Sequence, residues 1–108
     1  MISTQVITEA ESLLGMPKDS IVKASLIEFI LSKIKENSQI IEGLKGKYNV
    51  PGYLDLEDKI KQGKIPGHPA WEDVILWEQL FTHTAKLNQI VKFIEEGADT
   101  GFLKSNIG

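Results

Sequence analysis

Cysteine and arginine are both missing from this chain of 108 residues. Without cysteine there are no disulfides, no thiol catalysis and no cysteine metal ligands, which fits a reducing, cytoplasmic compartment. Without arginine, all twelve basic residues are lysines. Arginine is the side chain that grips phosphate bidentately and reads guanine. The formal net charge of −3 also repels nucleic acid at long range, so nucleic-acid binding is disfavoured. Long apolar runs are absent: nothing approaches the roughly 18 residues that a membrane-spanning helix requires. The N-terminal segment holds Glu9 and Glu11 and no basic cluster, so it does not read as a signal peptide. β-type alternation never lasts beyond a few residues, which leaves helical spacing as the dominant pattern.

What is present is a globular composition, 42% apolar and 25% charged. The length suits a single domain, residues 1–108, that buries roughly two thirds of its unfolded surface. The spacing predicts an all-α fold of four helices, about 4–14, 17–43, 54–62 and 69–96, with the two long helices packing on each other. Gly15 closes the first helix, and Pro17 suits the opening position of the second. Along the second helix Ile27, Ile30, Ile34, Ile41 and Leu44 hold heptad places interrupted by Asn37, and Val22, Leu26 and Phe29 form another stripe. A helix apolar on two faces needs partners on both. A homodimer is therefore expected, with Val22, Leu26, Ile27, Phe29, Ile30 and Ile34 at its interface. In the last helix Trp77, Leu80, Thr84, Leu87, Val91 and Ile94 keep heptad spacing. Residues 97–108, with Phe102, read as a loosely ordered tail able to fold on a partner.

One phrase occurs twice, fifteen residues apart: "VPGYLDLED" at 50–58 and "IPGHPAWED" at 65–73. Pro–Gly at the centre of a turn is a type II signature, with glycine supplying a positive φ. In the first copy Tyr53 reads as the N-cap of the third helix. In the second His68 reads as the N-cap of the fourth and Pro69 as its first residue. Leu56 and Trp71 sit one turn in, and the acidic pairs favour a helix start by about 0.3–1 kcal/mol. The copies differ in their charge partners. Glu57 has Lys61 four residues on, whereas Glu72 and Asp73 have no lysine within reach on their own helix. His68, Trp71, Glu72, Asp73 and Trp77, together with Phe102 of the tail, are therefore the candidate partner-binding residues, since tryptophan is enriched at interface hot spots.

No catalytic constellation stands out. His68, Glu72, Asp73 and a distant His83 match no metal-ligand spacing of the HExxH kind, so neither metal nor cofactor is expected. No nucleophile stands near either histidine, and the glycines fall singly, outside any phosphate-binding pattern. The compact helical RNases called HEPN domains need an Arg–His motif that this chain cannot form.

Two stretches carry a resemblance. "LLGMPKDSIVKASLIEFILSKI", residues 13–34, is similar to the helix–turn–helix half of ribbon–helix–helix antitoxins, with Val22, Ser25 or Leu26, and Phe29–Ile30 in the motif's apolar places. "KYNVPGYLDLEDKIKQGKIPGHPAWEDVILWEQL", residues 47–80, resembles the second half of small archaeal helical antitoxins of toxin–antitoxin pairs. The shared features there are Lys47–Val50, with Asn49 in a glycine place, the acidic helix Leu54–Ile60, His68–Asp73 and Trp77–Glu78. The resemblance implies a non-enzymatic protein that dimerises through its N-terminal helices and masks a small toxin protein with its C-terminal part. Ribbon–helix–helix proteins read DNA with a basic strand before the first helix; here "MIST" stands in that place without a charged side chain. The expectation is thus a cytoplasmic, homodimeric antitoxin-like protein, and the alternatives are a small DNA-binding regulator or a helical dimeric adaptor.

Overall fold

The computed structural model describes residues 2–97, so the expected tail with Phe102 lies outside the described residues. Within them are four helices and no strand: α1 (Thr4–Leu14), α2 (Lys18–Tyr48), α3 (Tyr53–Lys61) and α4 (Gly67–Glu95). The body is elongated, 61 × 35 × 22 Å.

α1 has the expected limits. The Ser3 hydroxyl accepts from the Val6 N–H at 3.2 Å, and Gly15 closes the helix at φ 64°, a left-handed conformation that glycine enters without Cβ strain. Pro17 stands one place outside α2, in extended backbone, instead of opening it, and offers no side-chain cap. The Glu11 carboxylate of α1 takes over, accepting from the Lys18 N–H at 3.1 Å. That bond ties α1 across the turn to the first residue of α2.

α2 runs well past its expected end near residue 43, continuing through Gly43 and Gly46 to Tyr48 and closing at Asn49 (φ 53°). Each interior glycine costs about 1 kcal/mol relative to alanine. The added turns bring Leu44 into the core and Tyr48 against it. Burying Leu44 is worth about 1.5–3 kcal/mol, and the partial burial of Tyr48 adds to it, which offsets the glycines. The break therefore shortens to Asn49–Gly52.

α2 and α4 pack antiparallel. Asn37 of α2 hydrogen-bonds His83 Nδ1 (3.0 Å) and Thr84 Oγ1 (3.2 Å), while Lys47 and Tyr48 bond Asp73. Continued in heptad steps, that register sets Leu44 level with Trp77 and Ile30 level with Val91, and all four are buried. Ile27 and Ile34 lie half-buried on the same line. The heptad stripe of α2 is thus largely consumed by α4. α3 fills the angle at the far end of the pair, where Leu56 (0% exposed) and Ile60 join Leu44, Val50, Ala70, Val74 and Trp77 in one core cluster.

Neither glycine of the doubled phrase adopts a positive φ, so the type II expectation fails. Gly52 is extended and is itself the N-cap of α3, one residue before the expected Tyr53. Gly67 serves by its lack of a side chain: a Cβ there would stand 3.0 Å from Trp71 Cδ1 and 3.2 Å from Nε1. His68 is extended (φ −111°, ψ 125°), so regular helix begins at Pro69 as expected; the His68–Pro69 bond is cis.

Neighbouring leucines in α3 should respond oppositely to truncation. Leu56→Ala is expected to cost about 2–5 kcal/mol in urea unfolding, and Leu54→Ala, on the exposed side, no more than about 0.5 kcal/mol. Comparable losses at both positions would contradict this placement of α3.

Candidate functional site

The doubled phrase delivers part of its candidate patch to the surface. His68 and Glu72 are exposed and adjacent on α4, with Nδ1 and Oε1 3.9 Å apart. Trp71, 40% exposed, lies over Gly67. Ile75, exposed as well, falls one turn after Trp71 and Glu72 on the same face, so an apolar ridge runs beside an acidic edge. The heptad spacing of α4 begins at Trp77 and does not include Ile75, so no sequence signal singles that residue out.

Two other candidates turn inward. Asp73 is not the lysine-free carboxylate that its own helix suggests. It accepts from Lys47 Nζ at 2.9 Å and from the Tyr48 hydroxyl, both at the end of α2. These two donors, Tyr48 first, hold the Asp73 carboxyl below its ordinary value of 3.8, against the opposing effect of burial. Lys47 is raised in turn, chiefly by Asp73 and then by Tyr48, and Tyr48 is raised by burial first and then by its bond to Asp73. Trp77 is 2% exposed, a core residue and not an open docking surface. Intrahelical spacing cannot reveal Lys47 as a partner 26 residues away; Tyr48 at the next heptad place after Leu44 was the available signal.

The four residues weighed for a metal do not converge: Asp73 binds Tyr48, His83 binds Asn37, and only His68 and Glu72 stay together. Among the described residues no group of three or more His, Cys, Asp or Glu could hold a metal ion, and no helix is long and apolar enough to cross a membrane.

A second surface is larger and more apolar. α1 has no buried residue, and on α2 nothing is fully buried before Ile30. Leu13 is 83% exposed and Phe29 62%, and Val6, Leu14, Val22 and Leu26 are exposed as well. A groove of about 300 Å³ between α1 and α2, walled by Val6, Ala10, Ile21 and Val22, opens on this side. The six expected dimer residues therefore separate. Val22, Leu26 and Phe29 belong to this open face, whereas Ile30, with Ile27 and Ile34 beside it, lies on the α4 line. The reason is the helical repeat, which turns the two stripes about a quarter-turn apart.

Fold and surface define an all-helical protein with a sparse core, an open apolar N-terminal face and a tryptophan ridge on α4. The chain belongs to the family described as "Uncharacterized protein MJ0235 family", whose model matches residues 1–98. No curated protein and no solved structure matches it.

The Asp73 pairing has a pH signature. A folded-state value below the ordinary one contributes stability in full above the unfolded carboxylate value and loses it as pH falls through the folded value. The gap in urea midpoint between wild type and Asp73→Asn should be largest above about pH 4 and shrink below it. Widening of that gap on acidification would contradict the pairing.

Proposed function

We propose that this is a non-enzymatic binding protein of the antitoxin kind, dimeric through its N-terminal face and occluding a small toxin protein with the outer surface of α4. The observation that carries it is the unfilled N-terminal face. Among the described residues only nine apolar side chains are buried, none of them before Ile30. An isolated helix of eleven residues is marginal in water, so α1 needs an apolar neighbour beyond the edge of α2. Exposed apolar patches mark interaction surfaces, and Val6, Val22, Leu26 and Phe29 are all exposed at this end. A second copy suits it: residues 2–33 hold three lysines and four acids, a nearly balanced charge that two copies can juxtapose without strong repulsion.

For the toxin-facing role, the support is the ridge of Trp71 and Ile75 with the exposed Glu72 at its edge. An aromatic anchor beside an exposed carboxylate fits a basic surface such as a nuclease-type toxin would present. The choice of a toxin among protein partners rests on the resemblance of residues 47–80 to small helical antitoxins.

Two measurements test the two halves. Light scattering at micromolar concentration should give twice the 12.0 kDa chain mass, and Leu26→Lys should halve it while helical circular dichroism is retained; a monomeric wild type refutes the dimer. For the second half, the neighbouring reading frame should be lethal when expressed alone and tolerated together with this protein. Trp71→Ala or Glu72→Lys should weaken that protection, and a neighbour harmless by itself refutes the antitoxin reading.

A further inference from the structure

The two copies of the repeated phrase end in different surroundings. In the second copy the indole of Trp71 lies against Gly67 and covers its turn. In the first copy the equivalent apolar residue, Leu56, is buried in the core, and the nearest atom to a Cβ on Gly52 would be Asp55 Oδ2 at 3.5 Å. No ring covers that turn. What remains is a cavity of about 250 Å³ where α2, the start of α3 and α4 meet, edged by Pro51–Asp55 and walled by Ile41, Trp77 and Phe81. Tyr53 and Phe81 face each other across a tilted 6.0 Å ring contact, and Phe81 and Leu54 are exposed at its rim.

Resting on the partner-binding reading above, we propose that this cavity is the anchor socket for one aromatic side chain of the protein partner, presented from a basic surface. Its size supports a ring: an apolar cavity of roughly 150 Å³ is enough to take up benzene. Its walls support an aromatic one, because Tyr53, Trp77 and Phe81 offer edges and faces for offset or edge-to-face contact. The rim carries one charge of each sign: Lys45, paired with Glu42 at 3.1 Å, and Asp55, which makes no ion pair among the described residues and is the carboxylate open to a partner. A cation next to the incoming ring therefore meets a complementary carboxylate. The socket also gives buried Trp77 an interaction role as a wall, in place of the exposed anchor expected of it.

The test is an NMR titration of the isolated protein with three short capped peptides: Lys-Trp-Lys, Glu-Trp-Glu and Lys-Ala-Lys. The expected result is saturable shifts confined to Ile41, Tyr53, Trp77 and Phe81 with Lys-Trp-Lys, weaker binding of Glu-Trp-Glu and none of Lys-Ala-Lys. Phe81→Ala, an exposed wall residue, should weaken Lys-Trp-Lys about threefold or more, and Asp55→Asn should erase the preference for the lysine peptide. Trp71→Ala should change neither. The proposal is overturned by shifts centred on Trp71 or on the α1–α2 groove, by equal binding of Lys-Ala-Lys, by the absence of saturation, or by indifference to Phe81→Ala. Because the peptides probe this chain alone, a negative titration leaves the co-expression outcome standing, and a harmless neighbouring gene leaves the socket standing.

Discussion

α2 and α4 lie antiparallel along a line of side chains spaced three and four residues apart, and that line places everything else. The buried amide of Asn37 pins its middle to His83 and Thr84, and the Lys47–Tyr48–Asp73 bonds pin its far end. A polar residue at an apolar heptad place lowers stability but selects one register, since a slipped pair leaves the buried Asn37 amide without its partners. With the register set, Leu44 and Trp77 come level, and the corner they form is where α3 inserts Leu56 and Ile60. The turns at Gly52 and Gly67 then have defined places, and with them the cavity beside Trp77 and the exposed Trp71.

The same line divides the molecule into a finished half and an unfinished one. Between Ile30 and Val91 at one end and Leu56 and Trp77 at the other, apolar stripes are matched by apolar stripes. Beyond Ile30 toward the N-terminus α2 keeps a second apolar stripe, and α1 only grazes its flank. Glu11 fixes the turn between them through the Lys18 N–H, so α1 is held in direction without being buried. The rod thus has a closed core at one end and an open apolar face at the other, and the proposed self-association and partner recognition rest on that division.

Much of the fold was legible. Helix count, the limits of α1, the start of regular helix at Pro69 and the end of α4 before Gly97 follow from capping residues and spacing. The errors cluster at glycine. Gly43 and Gly46 read as a break because their intrinsic cost is local, while the burial of Leu44 and Tyr48 that offsets it is tertiary. Pro51–Gly52 and Pro66–Gly67 read as type II turns because that use of glycine is the commonest; here one glycine is an extended cap and the other makes room for an indole. At the candidate site, His68 and Glu72 lie 3.9 Å apart and Trp71 is exposed, all at the start of α4 and so within one local stretch of sequence. Asp73 and Trp77 were misplaced because what they touch lies on α2.

The sequence by itself determined the helical class, the two long amphipathic segments, the excess of apolar surface on α2 and the acidic, tryptophan-bearing start of α4. These are properties of periods and compositions within one segment. Only the tertiary structure decided which stripe of α2 meets α4, that Asp73 is held by Tyr48 and Lys47, that Trp77 walls a cavity, and that two near-identical phrases give one covered turn and one open one. Each of those depends on the level at which two distant helices are matched. That match is set by the summed fit of a whole seam, and no local window of residues contains it.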